Sequence, residues 1–300
     1  MKQRNIFGET YGVEMVLNRA NSRNGEKERK EKKMVSFVAT PIGNLKDITL
    51  RALETLKEAD IIFCEDTRHT LKLLNAYEIK KPLQACHKFN ETEAAQKILQ
   101  LSREGKNVAV VSDAGTPVVS DPGNVVCKIL REANEPYTLI PGASAFVAAL
   151  VLSALPADRF AFIGFLPDKA SEKKAVLEKY KDLDLTLAFH SAPQDVDKDI
   201  KAMYETFGDR RAAAVREITK IHEESVPFTL AEGLAGEKRG EYVLVVEGAA
   251  EKENPLNSLS ETEHIRYYME QGLDKKEALK RAAKDRGVSK SVLYPFAIDL

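Results

Sequence analysis

The chain has 300 residues, about twice the usual size of one domain, so two domains with room for a small appendage are expected. Hydrophobic residues make up 43% and charged residues 30%, a soluble globular composition that excludes a chain disordered throughout. With 45 basic against 46 acidic residues, the net charge of −1 singles out neither an RNA nor a membrane partner, so any such signal must be local. The longest apolar runs, Val108–Val111 and Ala145–Leu152, fall far short of the roughly 18 residues of a membrane-spanning helix. Met1 to Arg4 is basic but leads into no apolar core, which argues against a signal peptide. Cys64, Cys86 and Cys127 form no CxxC pair and cannot all pair internally. Each lies in or beside an apolar stretch, so reduced thiols in the cytoplasm are expected.

Residues 1–33 differ from the rest: Gly25–Lys33 is almost all charge with no apolar stripe, so a disordered, solvated extension is expected there. From Met34 the pattern becomes regular. Val35–Ala39 reads as a short strand followed by the loop Thr40–Asn44, and a helix is expected from Asp47 as N-cap, with Ile48, Ala52, Leu53, Leu56 and Ala59 on one face. Ile61–Cys64 is a second buried-strand run, leading into Glu65–Arg68. Asn90 with Glu93 resembles a capping box opening a helix that ends at Gly105. Val108–Ser112 then enters a long Gly/Pro loop through Gly123, a helix runs to about Ala133, and the strand Tyr137–Ile140 meets Pro141–Ser144 and an Ala-rich helix. Strands alternating with helices at this spacing predict a mostly parallel, doubly wound sheet over residues 34–153.

A second α/β unit is expected over 154–250, with strands at Phe160–Ile163, Leu185–Phe189, Ala212–Arg216 and Tyr242–Val246. Ala249–Pro255 reads as a linker, and residues 256–300 as a helix-turn-helix-like domain. There, Asp274 to Lys290 holds seven basic residues (Lys275, Lys276, Lys280, Arg281, Lys284, Arg286, Lys290) against three acidic ones, either a solvated helix face or a grip on an RNA backbone. Leu273, Ala278, Leu279 and Ala282 are its expected buried stripe.

Three strand ends empty into loops of small residues: Thr40–Asn44, Asp113–Gly123 and Pro141–Ser144. In an open α/β sheet, ligands sit at the carboxyl ends of strands. None of the three matches GxGxxG or a phosphate-binding P-loop, so ordinary turn chemistry competes with a nucleotide-like ligand held mostly by backbone.

The wording of these segments resembles the ribosomal RNA small subunit methyltransferase I family, a branch of the tetrapyrrole methylase superfamily, from about Met34 to the end. The resemblance is carried by Val38-Ala39-Thr40-Pro41-Ile42-Gly43-Asn44-Leu45, Glu65-Asp66-Thr67-Arg68-His69-Thr70, Ser112-Asp113-Ala114-Gly115-Thr116-Pro117 with Ser120-Asp121-Pro122-Gly123, and Pro141-Gly142-x-Ser144-Ala145. Arg216-Glu217-Ile218-Thr219-Lys220 and Gly240-Glu241-Tyr242 through Gly248 fit as well. It implies two α/β domains and a small C-terminal helical domain, S-adenosylmethionine (AdoMet) bound in the cleft between the α/β domains, and usually a homodimer. The implied activity is 2′-O-methylation of a cytidine in the decoding region of 16S rRNA, with the small ribosomal subunit as partner and no membrane or metal. The expected cofactor contacts are Pro41, Gly43, Asp113, Gly115, Thr116, Pro117, Ser120, Pro141, Ser144 and Ala145. One segment departs: where the family has Phe-Tyr-Glu-Ser/Ala-Pro-His-Arg, this chain has Phe189-His190-Ser191-Ala192-Pro193-Gln194-Asp195.

Methyl transfer from a sulfonium needs no metal; the protein must align a ribose oxygen with the methyl group, exclude water and accept a proton. Charged residues at strand ends are the candidates for that work: Glu65, Asp66 and Arg68 in the first domain, Arg216, Glu217 and Lys220 in the second. The competing reading is a salt-bridged lip that only positions the domains. Rival functions are methylation of a free tetrapyrrole and non-catalytic binding to the ribosome; no GxSxG elbow supports acyl transfer.

Overall fold

The computed structural model describes residues 34–250, 255–298 and 300, together with the backbone of a short antiparallel pairing of Gln3–Arg4 with Thr10–Tyr11. The charge run Gly25–Lys33 and linker residues 251–254 lie outside the described residues.

Five parallel strands, β1 (Val35–Val38), β2 (Ile61–Cys64), β3 (Leu83–Ala85), β4 (Val108–Val111) and β5 (Tyr137–Ile140), form the first sheet in the order β3-β2-β4-β1-β5. The unbroken apolar runs of the central strands β2 and β4 follow from burial on both faces. Val35 and Phe37 pack with Ile98 and Leu130 on one side, while Val38 and Ile62 pack with Leu56 and Leu74 on the other. The covering helices are α1 (Leu50–Glu58), α2 (Thr67–Ala76), α3 (Glu91–Arg103) and α4 (Asn124–Glu132).

Local signals placed these elements well and their ends less so. Asp47 is not the N-cap of α1: Leu45–Asp47 forms a 3-10 turn, and the Thr49 hydroxyl caps α1 by accepting from the Ala52 N–H at 3.1 Å. The capping box at Asn90 does not form. Its side chain holds the preceding loop through the His87 N–H and Ala85 carbonyl, and Glu91 accepts from Gly123 and Val125 to cap α4. Neither α2 nor β3 was legible, the first because Asp66 looked like loop chemistry, the second because three half-buried residues show no period.

The first sheet is parallel as expected, whereas the second is mostly antiparallel. Its strands β6 (Phe160–Phe165), β7 (Thr186–Ser191), β8 (Arg211–Arg216), β9 (Glu224–Thr229) and β10 (Tyr242–Val246) order as β9-β8-β10-β7-β6, and only β6 and β7 pair in parallel. The connection from β8 to β9 is too short for a crossover helix, which forces an antiparallel pair, and Pro227 is accommodated because β9 is an edge strand. Helices α6 (Ala170–Leu177) and α7 (Val196–Phe207) cover one face around Phe189, Met203 and Leu244. The other face is covered by α5 (Ala145–Ser153): Ala149 and Leu150 pack on Ala188, Val215, Val243 and Val245. The helix that ends the first unit in sequence is thus part of the second unit's core.

Helices α8 (Glu261–Glu270), α9 (Lys275–Asp285) and α10 (Lys290–Leu293) enclose Ile265, Ala278, Leu279, Ala282 and Leu293. Ser260 and Glu263 make the capping box of α8, and Leu273, expected in the buried stripe, is over a third exposed. His264 is fully buried: its Nδ1 accepts from Arg286 Nε at 3.1 Å and its Nε2 lies 3.3 Å from Asp285. Burial lowers its pKa below the ordinary 6.5, with Asp285 only partly offsetting this. The unfolded chain therefore binds a proton that the folded helices resist. His264's contribution is complete above about pH 6.5 and is lost as pH falls below that value toward its lowered folded-state pKa. Hydrogen exchange of the α8 and α9 amides should accelerate on moving from about pH 7.5 to about pH 5.5 beyond the intrinsic pH effect, and His264→Gln should remove the excess.

Candidate active site

The carboxyl ends of β1, β4 and β5 face those of β6, β7 and β8 across a cavity of about 340 Å³, within the range of small-ligand sites. One wall is built from backbone. Thr40 and Gly115 exchange N–H to carbonyl bonds of 2.9 and 3.1 Å, pinning the loop after β1 to the loop after β4. Thr116 Oγ1 reaches the Ala143 carbonyl at 3.4 Å, and Ser144 begins α5. Ile42, Phe146, Phe162 and Val243 supply apolar surface, with Phe146 stacked on Phe162 at 4.4 Å between ring centroids. His190 stands edge-on to Phe162 at 5.1 Å, and burial lowers its pKa, so its imidazole is neutral at pH 7.

The two lobes touch at their loops. A Cβ on Gly43 would lie 2.9 Å from the Ile218 carbonyl and 2.7 Å from Lys220 Cγ, so no other residue fits without moving a lobe. Ser120 Oγ approaches β6 at Gly164, 3.2 Å from where a Cβ would stand. Both loops carry left-handed non-glycine residues, Val118 and Ser120 on one wall and Glu217 and Thr219 on the other. Such conformations cost on the order of 1–3 kcal/mol each and persist where the surroundings impose them.

The structure divides the sequence-derived candidates. Gly115, Thr116, Ser120, Ser144, Ala145, Glu217 and Lys220 line the cavity; Pro41, Gly43, Asp113, Pro117 and Pro141 belong to the same loops but do not line it. Glu65, Asp66, Arg68 and Arg216 do not line it. Asp66 caps α2 through the Arg68 N–H and binds the Arg68 guanidinium at 2.8 Å, which holds its carboxyl well below the usual range; that guanidinium is 88% exposed. Arg216 bonds Glu224 on β9 at 2.7 Å. Burial raises the Glu65 carboxyl, with Asp113 and Asp121 nearby adding to it. Across the cavity, Lys220 lies 3.0 Å from Glu217 and 3.4 Å from Glu241. The Lys220 hydrogen bond lowers the Glu217 pKa, whereas burial works against the Lys220 charge and its two carboxylate partners raise it in spite of that.

Sequence reading missed Asp121, Phe162, Phe165, Glu241 and Tyr242 as lining residues. Asp121 and Glu241 stood inside quoted motifs and carried a signal; the aromatic residues read as ordinary strand positions. The altered segment is tied to the helices behind it. Ser191 donates to Asp199 of α7 at 2.6 Å, and Lys173 of α6 closes the buried triad by pairing with Asp199. A wider cavity of about 740 Å³ lies at the opposite end of the second sheet, where Arg159 pairs with Asp184 and Arg211 with Glu247.

Residues 34–233 match the family model of the tetrapyrrole (corrin/porphyrin) methylases. The ribosomal RNA small subunit methyltransferase I of Bacillus subtilis is 41% identical over 288 residues, covering 93% of this chain and 98% of that protein. The chain belongs to the ribosomal RNA small subunit methyltransferase I family. Solved structures show the same fold. The methyltransferase CobJ superposes with a TM-score of 0.56 at 19% identity, over 73% of this chain and 95% of that one. Uroporphyrin-III C-methyltransferase from Thermus thermophilus, complexed with S-adenosylhomocysteine, gives 0.51 at 21%, over 71% and 96%. For this member of the small subunit methyltransferase I family, the lobe contact is a direct test of the cleft. Gly43→Ala should separate the walls by a few tenths of an ångström and weaken AdoMet binding about tenfold, or about 1.4 kcal/mol, in calorimetry, with the fold retained by circular dichroism.

Proposed function

We propose that this chain transfers a methyl group from AdoMet to the ribose 2′-oxygen of a cytidine in the decoding region of 16S rRNA, working as a homodimer. The observation that carries the reading is near end-to-end similarity to a small subunit rRNA methyltransferase together with an inter-lobe cleft of the right size. Supporting residues for the cofactor are the backbone of Ala114–Thr116, the Ser144 hydroxyl and the apolar surface of Ile42, Phe146 and Phe162. When bound, AdoMet supplies a methyl group already activated by its sulfonium. The protein's part is orientation, exclusion of water and management of one proton.

Helix α5 supports the dimer. It is apolar all round, and such a helix is stable in water only when both sides are covered. One side packs on the second sheet, while Val151 is 76% exposed beside exposed Val147 and Leu152. Val151→Arg should shift the protein to monomer in sedimentation velocity while leaving the second sheet's packing intact.

The C-terminal helices support an RNA contact with fewer charges than their sequence offers. Arg286 is turned inward onto His264, Glu261 and the Leu259 carbonyl, and Lys275 donates to the Ile298 carbonyl. Lys276, Lys280, Lys284 and Lys290 are left exposed on the solvent side. Changing these four to Gln should raise KM for the small subunit, leave AdoMet affinity unchanged, and flatten the log–log salt dependence by roughly 0.7 to 0.9 per lost phosphate contact.

The activity itself is tested with labelled AdoMet and undermethylated small subunits, with free tetrapyrrole as the competing acceptor. Label in 16S rRNA at a single nucleotide that resists alkaline cleavage is the expected result; label in the tetrapyrrole, or in neither, would overturn the proposal.

A further inference from the structure

Three carboxylates line the cleft: Asp121, Glu217 and Glu241. Two of them are committed. Glu217 holds Lys220 at 3.0 Å and accepts the Glu241 N–H at 3.2 Å. Glu241 stands at the rim, its side chain 87% exposed, and shares the same lysine. Asp121 differs from both. Among the described residues no lysine, arginine or histidine lies within ion-pair distance of it, and it is partly buried. It follows Ser120, the left-handed residue that touches the second lobe at Gly164, so its backbone is held where the lobes meet.

We propose that Asp121 is the group that takes the proton from the attacking ribose hydroxyl, an inference that rests on the function proposed above. The surroundings set its proton affinity. On its own lobe it faces the Ser112 hydroxyl, which favours the charged form, and Asp113, which opposes it. Asp113 itself accepts the Asp66 N–H at 3.1 Å, and Glu65 feels both Asp113 and Asp121. Across the cavity stand neutral His190 and the mutually paired Glu217, Lys220 and Glu241. Burial first, and Asp113 second, therefore raise the Asp121 pKa above the ordinary carboxylate value, moving it toward the range of an efficient base. Asp66, already bound to Arg68 and outside the cavity, is the weaker base.

The step balances in atoms and charge. As the oxygen–carbon bond forms and the carbon–sulfur bond breaks, the electron pair stays on sulfur and the hydroxyl proton passes to the Asp121 carboxylate. A carboxylate and a sulfonium thereby become a neutral acid and a neutral thioether. Loss of both charges is favoured in a partly dry cleft, where an unpaired carboxylate is costly. The acid then returns its proton to solvent at the open rim.

The test uses the full chain. Asp121→Asn is nearly isosteric and should lower kcat by about 100- to 10,000-fold at saturating substrates. AdoMet affinity by calorimetry should stay within about fivefold. Wild-type kcat should fall as pH is lowered through the Asp121 pKa, because the protonated acid accepts nothing, and the variant's residual rate should lack that limb. In the ligand-free protein, a protonated-carboxyl infrared band should titrate in wild type and be missing in Asp121→Asn, a readout that needs no turnover. Asp121→Glu, which keeps the carboxylate, should recover part of the rate and decides the matter if the Asn variant misfolds. Turnover within a few-fold of wild type in Asp121→Asn would overturn the proposal, as would a tenfold loss of AdoMet affinity with kcat intact. If wild-type protein methylates no rRNA, the function proposed above fails instead, and the infrared titration still reports whether Asp121 is a raised-pKa acid.

Discussion

The cleft depends on a contact that only a residue without a side chain can make. At Gly43 the loop after β1 lies against the Ile218 carbonyl and the stem of Lys220, closer than any Cβ tolerates. That approach fixes how far apart the lobes stand, and hence the width of the space between Gly115–Thr116 on one wall and Glu217–Val243 on the other. The paired backbone bonds between Thr40 and Gly115 carry the constraint into the first sheet, so the loop after β4 moves with the loop after β1. Left-handed residues on both walls show that the loops are held in place by the lobes rather than by local preference.

Charge is distributed in this cleft so that one group stays unpaired. Lys220 neutralises Glu217 and reaches Glu241, Arg216 is drawn away to Glu224, and Asp66 is closed off by Arg68. Such pairing makes these groups good architecture and poor proton acceptors, because a carboxylate stabilised by a cation has little affinity for a proton. The departure at Phe189–Asp195 fits the same economy. Ser191 donates to the buried Asp199 of α7, whose charge Lys173 neutralises from α6. A buried ion pair with its remaining hydrogen bonds filled holds geometry well even where it adds little net stability.

The helical appendage follows a related division. Arg286, His264, Asp285 and Tyr268 turn polar groups inward and satisfy one another beneath α8 and α9, while lysines occupy the outer face. Long lysine side chains on a small rigid scaffold suit contacts that read phosphate position and carry little base information.

The sequence alone determined the elements that short-range physics controls. Runs such as Val108–Val111 must be buried strands, the stripe Ala52, Leu56 and Ala59 must face a core, and loops rich in Gly and Pro must mark the strand ends where ligands gather. Its motif wording also named the family that the comparisons bear out. The tertiary structure decided everything that depends on partners distant in the chain. Only the fold shows that α5 belongs to the second sheet's core, that β10 enters antiparallel between β7 and β8, and that Gly43 serves a lobe contact. The site divides in the same way. Gly115, Thr116, Ser144, Glu217 and Lys220 were legible because they end strands in recognisable loops. Asp121 and Asp66 look alike in sequence, as acids in loops that follow strands. What separates them is that Arg68 pairs with Asp66 while no cation among the described residues pairs with Asp121, and the position of a neighbouring charge is a property of the folded chain.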